Sequence, residues 1–336
     1  MATYIIAEAG VNHNGSLELA LKLCDAAKEA GADAVKFQTW KTEKIVCRNT
    51  DTADYQARNT GNKTETQFDM LKKLELTHQD FHAIQSHCRE IGIDFLTTPD
   101  EEDSLRFIVE DLHLPLIKIG SGEVTNLHYL KQIASYSLPV ILSTGMSTLA
   151  QVATAYDTLL AAGAPEVTLL HCTTNYPCPM DEVNLRAMIT LRDAMHCNVG
   201  YSDHTLGTEM PVAAVALGAT VIEKHFTLDC TMPGPDHRAS LEPAELKRMV
   251  SEIRNVEKAL GDGIKRPNRS EIEISKVVRK SIVAKRPISK GELFSDENLT
   301  VKRAGTGLSA SAWDIVVGLR ADADYQEDEP IRIQTL

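Results

Sequence analysis

Short apolar runs alternate with longer amphipathic stretches up to Leu260, and this alternation constrains the fold more than any other feature of the chain. Each run has the length of a buried strand. Stretches such as Leu17–Ala30 and Gln79–Ile91 are each followed by glycine, the residue favoured just after a helix. The predicted strands are Tyr4–Ala7, Ala34–Phe37, Asp94–Leu96, Leu116–Ile119, Val140–Leu142, Val167–Leu170, Asn198–Tyr201 and Val221–Glu223. Eight strand–helix units predict an α/β fold of the (β/α)₈ TIM-barrel type.

An open, doubly wound sheet is the alternative fold. That architecture usually carries a glycine-rich nucleotide-binding turn after its first strand. Here the corresponding segment is Glu8-Ala-Gly-Val-Asn-His-Asn-Gly15, which lacks the GxGxxG spacing. The closed barrel is therefore the favoured prediction.

The composition changes after Leu260, which indicates a second domain. Gly261 and Gly263 end the last barrel helix, and Lys265–Arg279 is polar and charged. From residue 280 onwards the pattern consists of short strands and turns. We predict a barrel at residues 1–262, a linker at 263–279 and a small β-rich domain at 280–336, which is short enough to need a docking partner.

Charge and cysteine usage restrict the possible environments and partners. The chain of 336 residues has a formal net charge of −12, which argues against nucleic acid or an anionic membrane as a partner. Its seven cysteines are scattered and form no CxxC pair, which is typical of a reducing compartment. No apolar run reaches the roughly 18 residues of a membrane span, and the first residues do not resemble a signal peptide. A cytoplasmic protein is expected.

Two histidines follow predicted strands in the second half of the barrel. His204 lies in Asn198-Val-Gly-Tyr-Ser-Asp-His204, and His225 lies in Val221-Ile-Glu-Lys-His225. Both imidazoles would emerge at the carboxyl ends of the strands, where TIM barrels carry their active sites. Imidazoles suit first-row transition ions, and additional oxygen ligands favour Mn²⁺, with Mg²⁺ or Co²⁺ as alternatives. Packing or helix capping is the competing interpretation for both residues.

Two consecutive strands end in segments that could bind an anion. Lys118-Ile-Gly-Ser-Gly-Glu123 offers a cation, the Ser121 hydroxyl and two glycines that allow close backbone approach. Ser143 and Thr144 follow the next strand. Charge-assisted hydrogen bonds from these groups would suit a phosphate. Ordinary turn glycines and capping hydroxyls are the alternative.

Further charged groups lie where the barrel interior is expected. Glu8, Lys36, Gln38 and Glu123 would be costly to bury unless paired or used in function. Lys36 could hold a substrate carboxylate, and the two glutamates could exchange protons or bind sugar hydroxyls. A purely structural Lys–Glu ion pair remains open. Asp236, in the rigid Pro233-Gly-Pro-Asp-His237 loop, could approach His225.

Taken together, these segments resemble the bacterial sialic acid synthase family, which includes N-acetylneuraminate and N,N′-diacetyllegionaminate synthases. The C-terminal Lys285–Arg303 stretch resembles that family's antifreeze-like (SAF) domain. The motifs that carry the resemblance are Ala7-Glu-Ala-Gly-Val-Asn-His-Asn-Gly15, Val35-Lys-Phe-Gln-Thr39, Lys118-Ile-Gly-Ser-Gly-Glu123, Leu142-Ser-Thr-Gly-Met146, His171-Cys-Thr-Thr-Asn-Tyr-Pro177, Ser202-Asp-His-Thr205, Ile222-Glu-Lys-His-Phe226 and Gly234-Pro-Asp-His237.

The resemblance implies condensation of phosphoenolpyruvate with an N-acylated mannosamine-type sugar, giving a nine-carbon keto acid and phosphate. The sugar would be N-acetylmannosamine or 2,4-diacetamido-2,4,6-trideoxymannose. It also implies a domain-swapped homodimer in which Arg303 of one subunit reaches the sugar's N-acyl group in the other.

The same resemblance assigns the remaining roles. His204 and His225 would hold the metal, and Lys36 and Thr98 would meet the phosphoenolpyruvate carboxylate. The phosphate would meet Lys118, Ser121, Ser143 and Ser202. The sugar or the reacting carbons would contact Glu8, Gln38, Glu123, Tyr176 and Asp236.

Three positions depart from the family pattern. Thr174 stands where asparagine is frequent, which affects a phosphate contact, and Ala304 changes the loop after Arg303. Asp100 stands where phenylalanine is common and could alter the wall of the substrate site. Other segments, including Ala216-Leu-Gly-Ala219, look more like the legionaminate branch.

Two other functions remain as alternatives. A metal-dependent pyruvate aldolase or lyase on the same barrel would need no phosphate site. A non-enzymatic carbohydrate-binding protein would depend mainly on the C-terminal domain. The full set of charged strand ends argues against the second alternative.

Overall fold

A computed structural model describes residues 2–52 and 65–333 of the chain. The chain divides into two compact units, residues 1–261 and 262–336. The segment expected to be a linker, 263–279, belongs to the second unit and contains a helix at Arg269–Val278.

The first unit is built on an eight-stranded parallel sheet that forms a nearly closed barrel. The strand order is β3-β2-β1-β8-β7-β6-β5-β4, so the first strand pairs with the last, while β3 and β4 lie side by side where the ring closes. The strands are β1 (Tyr4–Gly10), β2 (Ala34–Thr39), β3 (Asp94–Pro99), β4 (Ile117–Ile119), β5 (Val140–Ser143), β6 (Val167–His171), β7 (Val199–Asp203) and β8 (Val221–His225). The predicted TIM-barrel fold is confirmed, and the open doubly wound sheet is excluded.

The helices lie between the strands and begin and end as the sequence pattern indicates. At the first helix, the Ser16 side chain accepts a hydrogen bond from the Leu19 amide, and Gly31 adopts the left-handed conformation (φ 84°) that ends the helix. The helices are α1 (Leu17–Ala30), α2 (Thr42–Ile45), α3 (Gln67–Leu74), α4 (His78–Ile91), α5 (Glu102–Arg106), α6 (Leu127–Ser135), α7 (Leu149–Ala161), α8 (Arg186–Met195), α9 (Glu209–Ala216) and α10 (Pro243–Leu260).

Strand register places the charged side chains of neighbouring strands at one level. Glu8 on β1 pairs in register with Lys36 on β2 and with His225 on β8. Because successive strand residues point to opposite faces, Lys36 and Gln38 share one face of β2, and Glu223 and His225 share one face of β8. Alternation and register therefore gather polar groups from separate strands into one layer.

Apolar side chains of the first unit form two layers and a separate small cluster of Val11, Trp40, Met70 and Leu74. The larger layer lies between strands and helices and includes Ile5, Leu23, Val35 and Ile84. The smaller layer consists of Ile6, Ala34, Leu96, Ile141, Leu170 and Val221. Burying an aliphatic side chain of this kind stabilises a fold by about 1.5–3 kcal/mol. These layers hold the polar layer in position.

The second unit has its own small core. Strand β9 (Ser281–Ala284) pairs antiparallel with β10 (Leu299–Lys302), and helices α11 (Arg269–Val278) and α12 (Trp313–Val316) complete its regular structure. Phe294 and Tyr325 pack edge to face in the core. The β-rich character predicted for this region is confirmed.

Among residues 2–52 and 65–333, no helix combines the length and the apolar character required to cross a bilayer.

Candidate active site

Polar side chains from many strand ends meet in one cavity of about 150 Å³ at the carboxyl end of the barrel. Most of the residues predicted for the site line it, and four further residues join them. The predicted residues that line the cavity are Glu8, Lys36, Gln38, Thr98, Lys118, Ser121, Ser143, Tyr176, Ser202, His204 and His225. The other lining residues are Asp100, which the sequence predicts for the substrate wall, and Gly120, Cys172 and Glu223.

Two buried lysines form the cationic part of the cavity. Lys36 Nζ lies 2.7 Å from Glu8 Oε2 and donates a hydrogen bond to Thr98 Oγ1 at 3.1 Å. Lys118 Nζ lies 3.3 Å from Glu223 Oε1 and donates to Ser143 Oγ at 2.8 Å. Glu223 also lies 3.7 Å from Lys36, so one carboxylate faces both ammonium groups.

Burial and pairing shift the pKa values of these four groups. Burial raises the pKa of Glu8 and outweighs the opposing effect of Lys36. Burial would also raise the pKa of Glu223, but Lys118 and Lys36 together hold it below its usual value. Desolvation lowers the pKa of Lys118, whereas Glu223 and Glu8 overcome desolvation at Lys36 and raise its pKa. Glu223 is therefore the ionised partner of the lysine pair.

Hydroxyl groups and one close backbone approach surround the lysines. Ser121 Oγ accepts a hydrogen bond from the Gly145 amide at 2.9 Å and lies 3.1 Å from Cys172 Sγ. A Cβ atom added at Gly145 would lie 2.3 Å from Thr174 Oγ1 and 3.0 Å from Ser121 Oγ, so a side chain there would displace these hydroxyls. Ser202 donates to Glu223 at 3.0 Å. Hydroxyls, ammonium groups and a backbone turn of this kind can receive the oxygens of a phosphate.

The two predicted metal-binding histidines face each other across the cavity. The ring centroids of His204 and His225 are 5.4 Å apart, and Tyr176 packs 4.1 Å from His204 and 5.4 Å from His225. Desolvation lowers the pKa of His204, and desolvation together with His204 lowers that of His225 well below its usual value. Both imidazoles are therefore neutral near pH 7, the state in which they bind metals.

Hydrogen bonding leaves ring nitrogens available on both histidines. His204 Nδ1 lies 2.6 Å from the Thr173 carbonyl and donates to it, which leaves Nε2 as the lone-pair donor. His225 Nδ1 is buried without a hydrogen-bond partner among the described residues. Within residues 2–52 and 65–333, no group of three or more His, Cys, Asp and Glu side chains is arranged as a metal site. The donor set fits a divalent ion with two protein ligands, the other positions being left to substrate or water.

Four predicted residues of the first unit lie close to this cavity but do not line it. Glu123 occupies the short turn after β4 and accepts a hydrogen bond from Asn126 at 2.7 Å. Thr144 donates its hydroxyl to the Leu170 carbonyl, whereas Thr174 Oγ1 is buried without a partner in the described part of the chain. Asp236 Oδ2 lies 3.9 Å from His225 Nδ1.

Asp236 is buried in the first unit, whereas Arg303 is exposed on the second unit. Burial, reinforced by Glu8, raises the pKa of Asp236 to about 7, so this carboxyl can hold a proton near neutrality. Arg303 belongs to the second unit, just after β10, and its side chain is exposed. Its predicted contact with a sugar depends on a second chain.

Sequence reasoning did not single out Glu223 or Cys172. Glu223 could have been found, because it lies two residues before His225 on a strand and therefore points to the same face. Lys224 points the other way and forms a completely buried ion pair with Asp203, 2.5 Å long, which joins the ends of β7 and β8. That pair supports the adjoining His204 and His225 from outside the cavity.

Comparison with known proteins places this geometry in a family. The NeuB family matches residues 23–265, and the SAF domain matches residues 279–336. The chain is 50% identical to the N,N′-diacetyllegionaminic acid synthase of Campylobacter jejuni, over 98% of this chain and 99% of the relative. The synthase of the same name from Legionella pneumophila is 47% identical over 95% of this chain and 90% of its own length.

A solved structure is similar to this chain in both sequence and fold. The N-acetylneuraminic acid (sialic acid) synthetase of Leptospira borgpetersenii, crystallised with citrate, is 34% identical and superposes with a TM-score of 0.72. The superposition covers 83% of this chain and 93% of the other. The chain therefore belongs to the NeuB family and carries a C-terminal SAF domain.

Proposed function

We propose that this protein is a nonulosonic acid synthase that condenses phosphoenolpyruvate with an N-acylated mannosamine-type sugar, forming a nine-carbon keto acid and phosphate. One observation carries the proposal: two buried lysines with their hydroxyl partners share a single cavity with a pair of neutral imidazoles. Family membership and the names of the relatives support the same reaction.

The cationic part of the cavity suits phosphoenolpyruvate. Lys36 and Thr98, already hydrogen-bonded to each other, would receive its carboxylate. Lys118 with Ser121, Ser143 and Ser202 would receive its phosphate. Charge-assisted bonds from two fixed ammonium groups would orient the enol with its C3 carbon towards the imidazole pair.

His204 and His225 would hold a divalent cation, for which we propose Mn²⁺, with Mg²⁺ or Co²⁺ as alternatives. Such an ion, when bound, supplies Lewis-acid polarisation of the aldehyde oxygen of the acceptor. The neutral state of both rings and the free Nε2 of His204 support this assignment. Tyr176 packs on both rings and would keep them in place.

The carboxyl groups around the cavity suit the proton and charge transfers of the reaction. C3 of phosphoenolpyruvate forms the new bond to the aldehyde carbon, and the aldehyde oxygen takes up a proton. Glu8 and Asp236, whose raised pKa values favour the protonated form, are suited to supply it. Glu123 would stabilise the positive charge that develops at C2. Water then adds to C2, and the C2–O bond to phosphate breaks.

The proposed reaction also requires an acceptor sugar and, for Arg303 to reach it, a second subunit. The two relatives named as N,N′-diacetyllegionaminic acid synthases favour 2,4-diacetamido-2,4,6-trideoxymannose over N-acetylmannosamine. Gln38 and Tyr176 offer hydrogen-bonding groups towards a sugar. Arg303, exposed on the second unit, would come from the other subunit of a domain-swapped homodimer and bind an N-acyl group.

We also propose a cytoplasmic location. Phosphoenolpyruvate is a metabolite of the cell interior, and the seven cysteines of the chain are free thiols.

The test of the proposed reaction is a stoichiometric assay. Purified protein, treated with chelator and then supplied with Mn²⁺, is incubated with phosphoenolpyruvate and either acceptor sugar. Orthophosphate and keto acid should form in equal amounts, only when a sugar is present, and only after the metal is restored. Consumption of pyruvate in place of phosphoenolpyruvate, without phosphate release, would instead identify an aldolase.

A further inference from the structure

Asp100 presents an unused hydrogen-bond acceptor to the cavity. It follows β3 directly, and its backbone amide donates to the Thr39 carbonyl at 3.0 Å, which holds it beside the end of β2. Its side chain lines the cavity together with Gln38 and Thr98. Within the described part of the chain, its carboxyl oxygens make no hydrogen bond or ion pair with another residue. A half-buried carboxyl without a protein partner can accept a bond from a ligand.

The two other carboxyl groups that line the cavity are already engaged. Glu8 is paired with Lys36 and accepts a hydrogen bond from Gln38 at 3.0 Å, and Glu223 is paired with both lysines. Glu123 accepts from Asn126. Neighbouring Glu101 accepts from two amides at the start of α5. Asp100 is therefore the carboxyl lining the cavity that a ligand could reach without breaking an existing bond.

The charges of the two substrates indicate which of them lies next to Asp100. Phosphoenolpyruvate is an anion, and a carboxyl next to it would either repel it or have to be protonated. The acceptor sugar is neutral and rich in O–H and N–H donors. The groups whose charges act on Asp100 are Lys36, Glu123, Glu8 and Glu101, so carboxylates outnumber cations around it. A neutral donor is the ligand that such a setting favours.

We propose that Asp100 determines acceptor specificity by accepting a hydrogen bond from the N–H of the second acylamino group of a diacetamido sugar. The inference rests on the proposed synthase reaction and adds the residue that distinguishes the two acceptors. In that reaction Arg303 takes one N-acyl group, which is the only one that N-acetylmannosamine carries. The second acylamino group is left for a partner on the barrel itself.

The geometry of an amide explains why this contact discriminates. An amide N–H points in one direction, so loss of its acceptor leaves it unpaired inside the cavity. A hydroxyl at the same carbon rotates and can donate to water or to another group. Removing the Asp100 carboxyl therefore weakens binding of the diacetamido sugar more than that of the monoacetamido sugar.

The test compares kcat/KM for the two sugars in the full-length chain, with phosphoenolpyruvate saturating. Asp100→Ala should lower kcat/KM for 2,4-diacetamido-2,4,6-trideoxymannose by about tenfold to a hundredfold. The decrease for N-acetylmannosamine should stay within about threefold. Asp100→Asn retains an amide oxygen as acceptor and should recover part of the loss. Glu102→Ala, a change to an exposed carboxylate two residues further on, is the matched control and should leave both values unchanged.

The outcomes separate this inference from the reaction on which it rests. Equal losses for both sugars, or no loss for either, in a variant that keeps the wild-type KM for phosphoenolpyruvate would overturn the role of Asp100 and leave the synthase reaction intact. If the wild-type protein releases no phosphate with either sugar, the reaction fails and the specificity role falls with it. A selective loss for the diacetamido sugar supports both.

Discussion

Lys118 on β4 and Glu223 on β8 form an ion pair of 3.3 Å inside the barrel, although their strands are not neighbours in the sheet. Both side chains are almost completely buried. Removing one partner of a buried pair leaves an uncompensated charge, whereas replacing both can be nearly neutral for stability. This pair therefore allows the structural and functional roles of Lys118 to be separated.

Lys118→Met should lower the free energy of unfolding by about 2–4 kcal/mol, because Glu223 loses its closest cation. Adding Glu223→Gln should recover most of that loss, which denaturant titration can measure. The KM for phosphoenolpyruvate should remain raised by about tenfold or more in both variants, since a charge-assisted phosphate contact is missing. A normal KM in the stable double variant would show that Lys118 is only a structural ion partner.

His225→Ala should abolish turnover, with a decrease of at least about a hundredfold in kcat, while unfolding remains cooperative. The expected cause is loss of one of two imidazole ligands, so Mn²⁺ binding measured by calorimetry should weaken in parallel. His128→Ala alters an exposed histidine on α6 and serves as the control for a simple loss of imidazole. Full activity of His225→Ala with Mn²⁺ present would refute the ligand assignment.

Mixing two impaired variants, assayed at a sugar concentration well below the KM of Arg303→Ala, tests the swapped assembly. His225→Ala leaves the second unit intact, and Arg303→Ala leaves the barrel intact. If each site combines the barrel of one subunit with Arg303 of the other, heterodimers contain one complete site, and activity should return to about a quarter of wild type after subunit exchange at equal ratio. Arg303→Ala alone should raise the KM for the sugar more than that for phosphoenolpyruvate. Mixtures no more active than the separate variants, despite verified exchange, would contradict a swapped site.

The pH dependence of stability should report the environment of Asp100. Burial raises the pKa of this carboxyl from 3.8 to about 7, with Glu123, Glu8 and Glu101 reinforcing the shift and Lys36 opposing it. Because the folded pKa is the higher one, the stabilising contribution of the protonated group is complete below about pH 4. It is lost as the pH rises through 7.

Asp100→Asn removes this titration and provides the measurement. Without substrate and with chelator present, the variant and the wild type should have similar free energies of unfolding below pH 4, and the variant should become progressively more stable as the pH rises towards 7. At pH 8 the variant should be the more stable by about 1–3 kcal/mol, a range reduced for partial solvent screening. Glu102→Gln, on the exposed neighbour, should show no such trend. A stability difference that stays constant between pH 4.5 and 8 would contradict the raised pKa.

Alternation and strand-end position were sufficient to predict much of the barrel and of its cavity. Local propensity determined α1, whose predicted and observed bounds coincide at Leu17 and Ala30. Strand-end position identified His225, and period-two alternation would have identified Glu223, because residues two apart on a strand share a face. The bounds of β4 and β7 shifted by one or two residues, since hydrogen bonding to neighbouring strands decides where a strand begins and ends.

Other features depend on contacts that the sequence pattern does not encode. The pairing of Glu223 with two lysines requires the closed ring that brings β2, β4 and β8 together. The adjacent Lys224 is equally polar yet is buried outside the cavity with Asp203, so polarity alone could not tell which side chain faces inward. The role predicted for Arg303 depends on a contact between two chains, and no pattern within one sequence reveals such a contact.

The most direct test of the proposed reaction follows the fate of oxygen. The protein is incubated with phosphoenolpyruvate, the diacetamido sugar and Mn²⁺ in ¹⁸O-labelled water, and the reaction is quenched at short times. The masses of the products are then measured by mass spectrometry. We expect one ¹⁸O atom at C2 of the keto acid and unlabelled phosphate, because water adds to C2 and the C2–O bond breaks. Label in the phosphate and none in the keto acid would contradict it.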